Sequence, residues 1–234
     1  MRGHSKPMKM QQQFLHFSSP LKHDYRMWIH HKGTEIACAK VAMWLNQGGF
    51  LWLTSDEAAG KSHLLHALAQ EYPQLKRVEP GKRLSPMKQV AVWLETLGDA
   101  DLWALDLHAG KLPSPTALAL FHLIERAKES QHGLLISWRC ADDDLKPDEL
   151  ARHLRMMEKI NIQAPENDED LALVLQATAR QLHWDIPNAL IKVLIRHLPH
   201  DLTVQMNALY RLEAASLEER VRLTQAWAKR KLKL

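Results

Sequence analysis

FLWLTSDEAAGKSHLLHALAQ, from Phe50 to Gln70, reads as an apolar strand, a short polar loop, Gly60-Lys61-Ser62 and an amphipathic helix. That order fits a phosphate-binding loop, G-x-x-x-x-G-K-[ST]. A glycine lets backbone approach phosphate oxygens, and the amides opening the helix point at the anion. Lys61 is expected to reach terminal phosphates and the Ser62 hydroxyl to hold Mg²⁺. The place of the motif's first glycine is taken by Ser55, and Ala58-Ala59 fill the loop. The alternative is a chance Gly-Lys-Ser, but the flanking strand and helix favour phosphate binding. Ser55, Ala59, Gly60, Lys61, Ser62 and His63 are therefore the candidate nucleotide-binding residues of this loop.

Outward from the loop, apolar runs alternate with helical patterns. Upstream, Thr34 to Leu45 places Ile36, Val41, Trp44 and Leu45 on one helical face. Downstream, Leu75 to Val78 is a short strand, and Ser85-Pro86 opens a helix carrying Val90, Val92, Trp93 and Leu97. Asp101 to Asp106 is an apolar run closed by an acid, as in a Walker B strand whose Asp serves Mg²⁺. The competing reading is a strand that merely ends on a common turn residue. Thr116 to Ser130 is a helix with Leu118, Phe121, Leu123 and Ile124 inward, and Gly133 to Trp138 is a further core strand. Ser137, near the polar end of that strand, is expected beside the phosphates. Asp148 to Met157 is a basic helix and Lys159 to Gln163 a fifth strand. Such alternation means an α/β fold with a parallel five-stranded sheet covered on both faces.

Beyond Pro165 the pattern becomes helical: Glu169 to Leu182, Pro187 to Leu198, Leu202 to Ser216, and Glu218 to the C-terminus. Asn167 and Asp201 are candidate caps. The organisation is a tail over 1–24, an α/β base over 25–165 and a small helical lid over 166–234. The basic end AWAKRKLKL reads as a helix terminus whose cations suit the dipole, with a nucleic-acid contact as the alternative.

Composition narrows the class. Hydrophobic residues at 46% and charged residues at 25% describe an ordinary folded chain rather than a disordered one. No apolar run approaches the roughly 20 residues of a membrane helix, and the N-terminus has no signal-peptide pattern. Cys38 and Cys140 form no C-x-x-C pair, which points to a reducing, cytoplasmic setting. The histidines form no metal motif, and His30-His31 reads as a surface pair; no structural metal is expected. A net charge of +4 permits weak nucleic-acid contact without demanding it. In the tail, Gln12 is followed by Phe14, Leu15 and Phe17 without helical period. Apolar groups so placed are anchors for a partner's pocket or fold back on their own domain.

The run Ala59 to Ala67, AGKSHLLHA, resembles the phosphate loop and helix of the DnaA-type bacterial replication initiators, and more closely their short Hda-type regulators. The resemblance covers nearly the whole chain and implies a tail, an AAA+ P-loop base and a helical lid, without the initiators' helix-turn-helix domain. Gln12, Leu15 and Phe17 match the Q-x-x-L-x-[LF] motif by which this family enters the DNA sliding clamp. The implied role is to promote ATP hydrolysis on DnaA from the clamp, with an adenine nucleotide (ADP or ATP) and Mg²⁺ at Ser62 and Asp106. Expected partners are DnaA and the clamp, with a homo-oligomer as a further option, no membrane, and weak or absent direct DNA binding.

Three positions depart from the family's pattern. Leu107 follows the Walker B Asp106 where the family has a polar or acidic residue, and a leucine cannot orient a water, so intrinsic hydrolysis should be very slow. The lid arginine that senses nucleotide aligns with Thr203. In the finger stretch Leu150 to Leu154, His153 occupies the arginine's position. Neighbours on a helix point about 100° apart, so Arg152 and Arg155 are the cations available to substitute. Two other functions compete: an active AAA+ ATPase of loader or motor type, opposed by Leu107 and Thr203, and a nucleotide-free adaptor, favoured by Ser55 and the alanine-filled loop.

Overall fold

Strand β1 (Phe50–Thr54) sends Leu51 and Leu53 into one hydrophobic layer and Trp52 into the other, as a period-two backbone must. The computed structural model describes residues 28–81, 84–141, 145–219 and 221–234. The candidate clamp anchors Gln12, Leu15 and Phe17 lie outside the described residues.

With β1, strands β2 (Leu75–Val78), β3 (Leu102–Asp106), β4 (Gly133–Ser137) and β5 (Glu158–Asn161) form one parallel sheet in the order β2-β3-β4-β1-β5. Helices α1 (Lys32–Gln47) and α2 (Lys61–Glu71) cover the Leu51 face. Helices α3 (Pro86–Leu97), α4 (Ser114–Glu129) and α5 (Asp148–Arg155) cover the Trp52 face. Because both faces are covered, β3 and β4 are buried at every residue and carry almost unbroken apolar runs. The register pairs Asp106 with Ser137 and Ser137 with Leu53, so three strand ends converge where α2 begins.

Within the Trp52 layer two tryptophans satisfy their indole N–H groups on backbone carbonyls. Trp52 Nε1 donates to the Trp138 carbonyl at 3.1 Å, and Trp138 Nε1 donates to the Gly110 carbonyl at 3.0 Å. Helices α6 (Asp168–Gln181), α7 (Asn188–His197), α8 (Leu202–Glu219) and α9 (Gln225–Leu232) bury a separate core that includes Leu175, Leu194, Leu209 and Trp227. The Asn167 carboxamide accepts the Asp170 N–H at 2.8 Å, and the Asp201 carboxylate accepts the Val204 N–H at 2.8 Å, as expected of caps. Among the described residues no helix is long and apolar enough to cross a membrane.

Several expectations need correcting. On α1 the buried face is Thr34, Ala37, Val41 and Trp44, while Ile36 is 74% exposed. Val92 and Leu118 are likewise exposed, and Phe121 is half-buried. His31 is buried rather than superficial, and that burial lowers its pKa. The last helix starts only at Gln225, where the Thr224 hydroxyl accepts the Trp227 N–H at 3.2 Å.

Candidate functional site

Gly60 caps α2 in the left-handed region, at φ 78° and ψ 17°. A side chain there is strained, and a Cβ would come within 3.5 Å of the Trp28 ring. The glycine of Gly-Lys-Ser is therefore a conformational requirement. It aims the first amides of α2, which have no partner within the helix, at the space above the loop. β1 delivers Ser55 to the other side of that space, buried at 3% exposure.

The serine in the first-glycine place has acquired a role. Lys61 Nζ donates to Ser55 Oγ, and Ser55 Oγ donates to the Glu57 carbonyl at 2.6 Å. The lysine is thus held inside its own loop. Burial is the main force on its charge, with Arg139 pushing the same way and Asp106 opposing, and the ammonium pKa falls to about 8.

Asp106 closes β3 beside the loop with its side chain 6% exposed. Burial raises its pKa, while the Ser62 and Ser137 hydroxyls and Arg77 pull it back. Ser137 is fully buried and close enough to be felt by the carboxylate, yet its hydroxyl is not aligned into a formed hydrogen bond. Lys61, Ser62 and Ser137 therefore lie near Asp106, bringing together N–H and O–H donors of the kind that suit phosphate oxygens.

Asp106 also has a cationic neighbour that the sequence reading did not include. Arg77, on β2, donates from Nη1 to Asp106 Oδ2 at 3.3 Å. The same Nη1 pairs with the Glu79 carboxylate, and Nη2 lies 3.1 Å from His66 Nδ1. Nothing in Leu75-Lys76-Arg77-Val78 marks this arginine as part of a site. The signal exists only once β2 is known to lie beside β3, because Arg77 then registers against Ala104, one inward position before Asp106.

A cavity of about 290 Å³, near the lower limit for small-molecule sites, opens from the loop toward the lid. Ala59, Gly60 and His63 form one wall, Trp28 and His31 another, and Thr178, Thr203, Met206 and Tyr210 of the lid a third. The His63 ring stacks on Trp28 with centroids 5.7 Å apart and planes at 24°. The lining is mainly apolar, which suits a planar base more than a second charged group. Trp28 was missed in the sequence because it sits at the edge of a tail without periodicity. Thr203 does line this cavity, at the lid position where the resemblance puts a nucleotide-sensing arginine.

The finger candidates lie elsewhere, on α5 across the sheet from α2. Arg152 and Arg155 are exposed. His153 is held by Glu125 Oε1 at 3.2 Å, by the Lys128 ammonium, and against the Phe121 ring at 5.3 Å. Leu107, after Asp106, is 5% exposed in the core, and its N–H donates to the Ser137 carbonyl at 2.8 Å.

No known family model matches the chain. Solved structures match its fold. Domain III of the Thermotoga maritima replication initiation protein DnaA is similar at a TM-score of 0.70 and 13% identity, over 90% of this chain and 95% of that one. A replication initiator DnaA bound to AMPPCP and single-stranded DNA gives 0.60 and 14%, over 87% of this chain and 70% of that one. The Thermotoga maritima RuvB Holliday junction branch migration motor gives 0.59 and 13%, over 85% and 68%. Identity this low establishes the fold alone: a five-stranded parallel α/β sheet followed by a helical part, similar to DnaA domain III and RuvB.

Proposed function

We propose that the chain is an Hda-like regulator of replication initiation. It binds the sliding clamp through Gln12, Leu15 and Phe17, holds an adenine nucleotide between the Lys61 loop and the lid, and promotes ATP hydrolysis on DnaA. The observation that carries this reading is the cavity shared by Gly60, His63, Thr203 and Met206, which gives a nucleotide one wall from the loop and one from the lid. Lys61 and the α2 amides would hold phosphates, and Trp28 with the apolar lid residues would hold the base.

The same residues support binding without turnover. Leu107 is packed into the core, so a hydrocarbon stands where a water-orienting group is needed. Thr203 brings no charge to the phosphates. Action on DnaA therefore needs a cation presented outward, and the exposed Arg152 and Arg155 meet that need, whereas His153 is engaged with Glu125.

The test is the rate of ATP hydrolysis by purified DnaA in the presence of DNA-loaded clamp and this protein. Stimulation is expected, and replacing both Arg152 and Arg155 by Ala should reduce it by on the order of 10³, the scale of an arginine finger. Absence of stimulation by the unaltered protein would overturn the regulatory role. A second reading, a nucleotide-free adaptor, draws on the Lys61–Ser55 contact, which occupies the lysine within the loop. ADP calorimetry separates the two.

A further inference from the structure

The nucleotide reading leaves one group unused: Arg77, seated against the carboxylate that a P-loop protein normally turns toward its metal's waters. Arg77 is only 18% exposed at its side chain and is fixed by two carboxylates, Asp106 and Glu79, and by the His66 ring. A guanidinium held from three sides does not swing away readily. Asp106 is almost fully buried, so its charge requires a partner, and Arg77 is that partner. A divalent ion brought to the same carboxylate would meet a fixed positive charge in a partly desolvated space, where repulsion is strong. Asp106, as arranged here against Arg77, does not fit Mg²⁺.

We propose that this chain binds its adenine nucleotide without a divalent cation, Arg77 supplying against Asp106 the positive charge that a metal would otherwise bring. The proposal rests on the nucleotide reading above and adds to it the form of ligand that the site selects. A metal-free nucleotide keeps its full negative charge for Lys61 and the α2 amides. A magnesium-bound nucleotide would have to shed its ion or displace Arg77.

The experiment is calorimetric titration of the full chain with ADP, once in magnesium chloride and once in excess EDTA. The two dissociation constants are expected to agree within about threefold, or the EDTA value to be the tighter. Weakening by more than about threefold in EDTA would overturn the proposal. Mn²⁺ paramagnetic resonance gives an independent reading. Adding protein to Mn²⁺ and ADP should leave no protein-immobilised manganese, and an immobilised signal would overturn the proposal. Arg77→Leu should make binding metal-dependent, with EDTA weakening it by about tenfold or more. An Arg77→Leu chain that melts cooperatively, binds ADP and ignores the metal as its parent does would remove the role given to Arg77. If that variant fails to fold, the two unaltered-chain measurements decide alone. No binding of ADP in either buffer would overturn the nucleotide reading itself, and this inference with it.

Discussion

Lys61 is the residue on which most of the site's electrostatics turns. Burial, assisted by Arg139, brings its pKa to about 8, below the ordinary lysine value of 10.5. The unfolded chain therefore keeps this proton more firmly than the folded one does. Lys61 works against folding below about pH 8, and that penalty fades as pH rises toward the ordinary lysine range. A bound phosphate reverses the preference by favouring the ammonium. ADP binding near pH 8 should consequently take up protons, and affinity should weaken as pH climbs past about 8. Calorimetry in buffers of different ionisation enthalpy measures the uptake. Heats independent of buffer, with affinity flat from about pH 7 to about pH 9, would contradict it. Lys61, Ser62 and Asp106 were legible in the sequence because their chemistry fixes a local spacing around a strand end and a helix start. Arg77 was not, because its partner Asp106 is brought to it by sheet order, which no local pattern encodes.

At the scale of the element, strand ends decide the site, and Gly133 opens the strand that carries Ser137. A Cβ on Gly133 would stand 2.7 Å from Leu102 Cδ2 and 3.0 Å from the Gly48 backbone, so β1's approach, β3 and β4 close together around its missing side chain. Gly133→Ala should destabilise the fold by about 1–3 kcal/mol, the range for overpacking a tight core. Urea unfolding measures it, and an unchanged midpoint would show that the strands can separate at little cost. Elements were legible where their periodicity was strong: β1, β3 and β4 lie where an apolar run ends on a polar residue, whereas β2 and β5 carry charged residues among few apolar ones. Faces were less legible. Ile36, Val92 and Leu118 are large and apolar but point outward, while Ala37 and Ala117 are small and buried. Close helix–sheet contact selects for small residues, so a search for large apolar side chains tilts the assigned face. The break before α9 was hidden because Glu218 to Leu223 continues a helix-compatible composition, and only Thr224, as a cap for Trp227, marks the new start.

For the whole molecule, base and lid are two cores that meet at the cavity, one closed by the sheet and one by α6 to α9. A ligand there touches both, so binding energy couples them. Thr203, on the lid wall, is the place where that coupling can be strengthened. Thr203→Arg should tighten ADP binding by about tenfold, as a charge-assisted contact to phosphate would. Unchanged affinity in the same titration would mean that the lid position does not reach the phosphates. The helical character of the C-terminal part was legible from the change in period after Pro165. The proposed finger was not, because the contact proposed for it is with another molecule and would leave no constraint inside this chain.

The most direct test of the account is titration of the full chain with ADP, beside Lys61→Ala. Saturable binding of one ADP per chain is expected, weakened by at least about tenfold in the variant. A chain that gives no saturable heat at micromolar concentrations, or that binds ADP equally well without Lys61, would contradict the claim that this loop is built to hold phosphate.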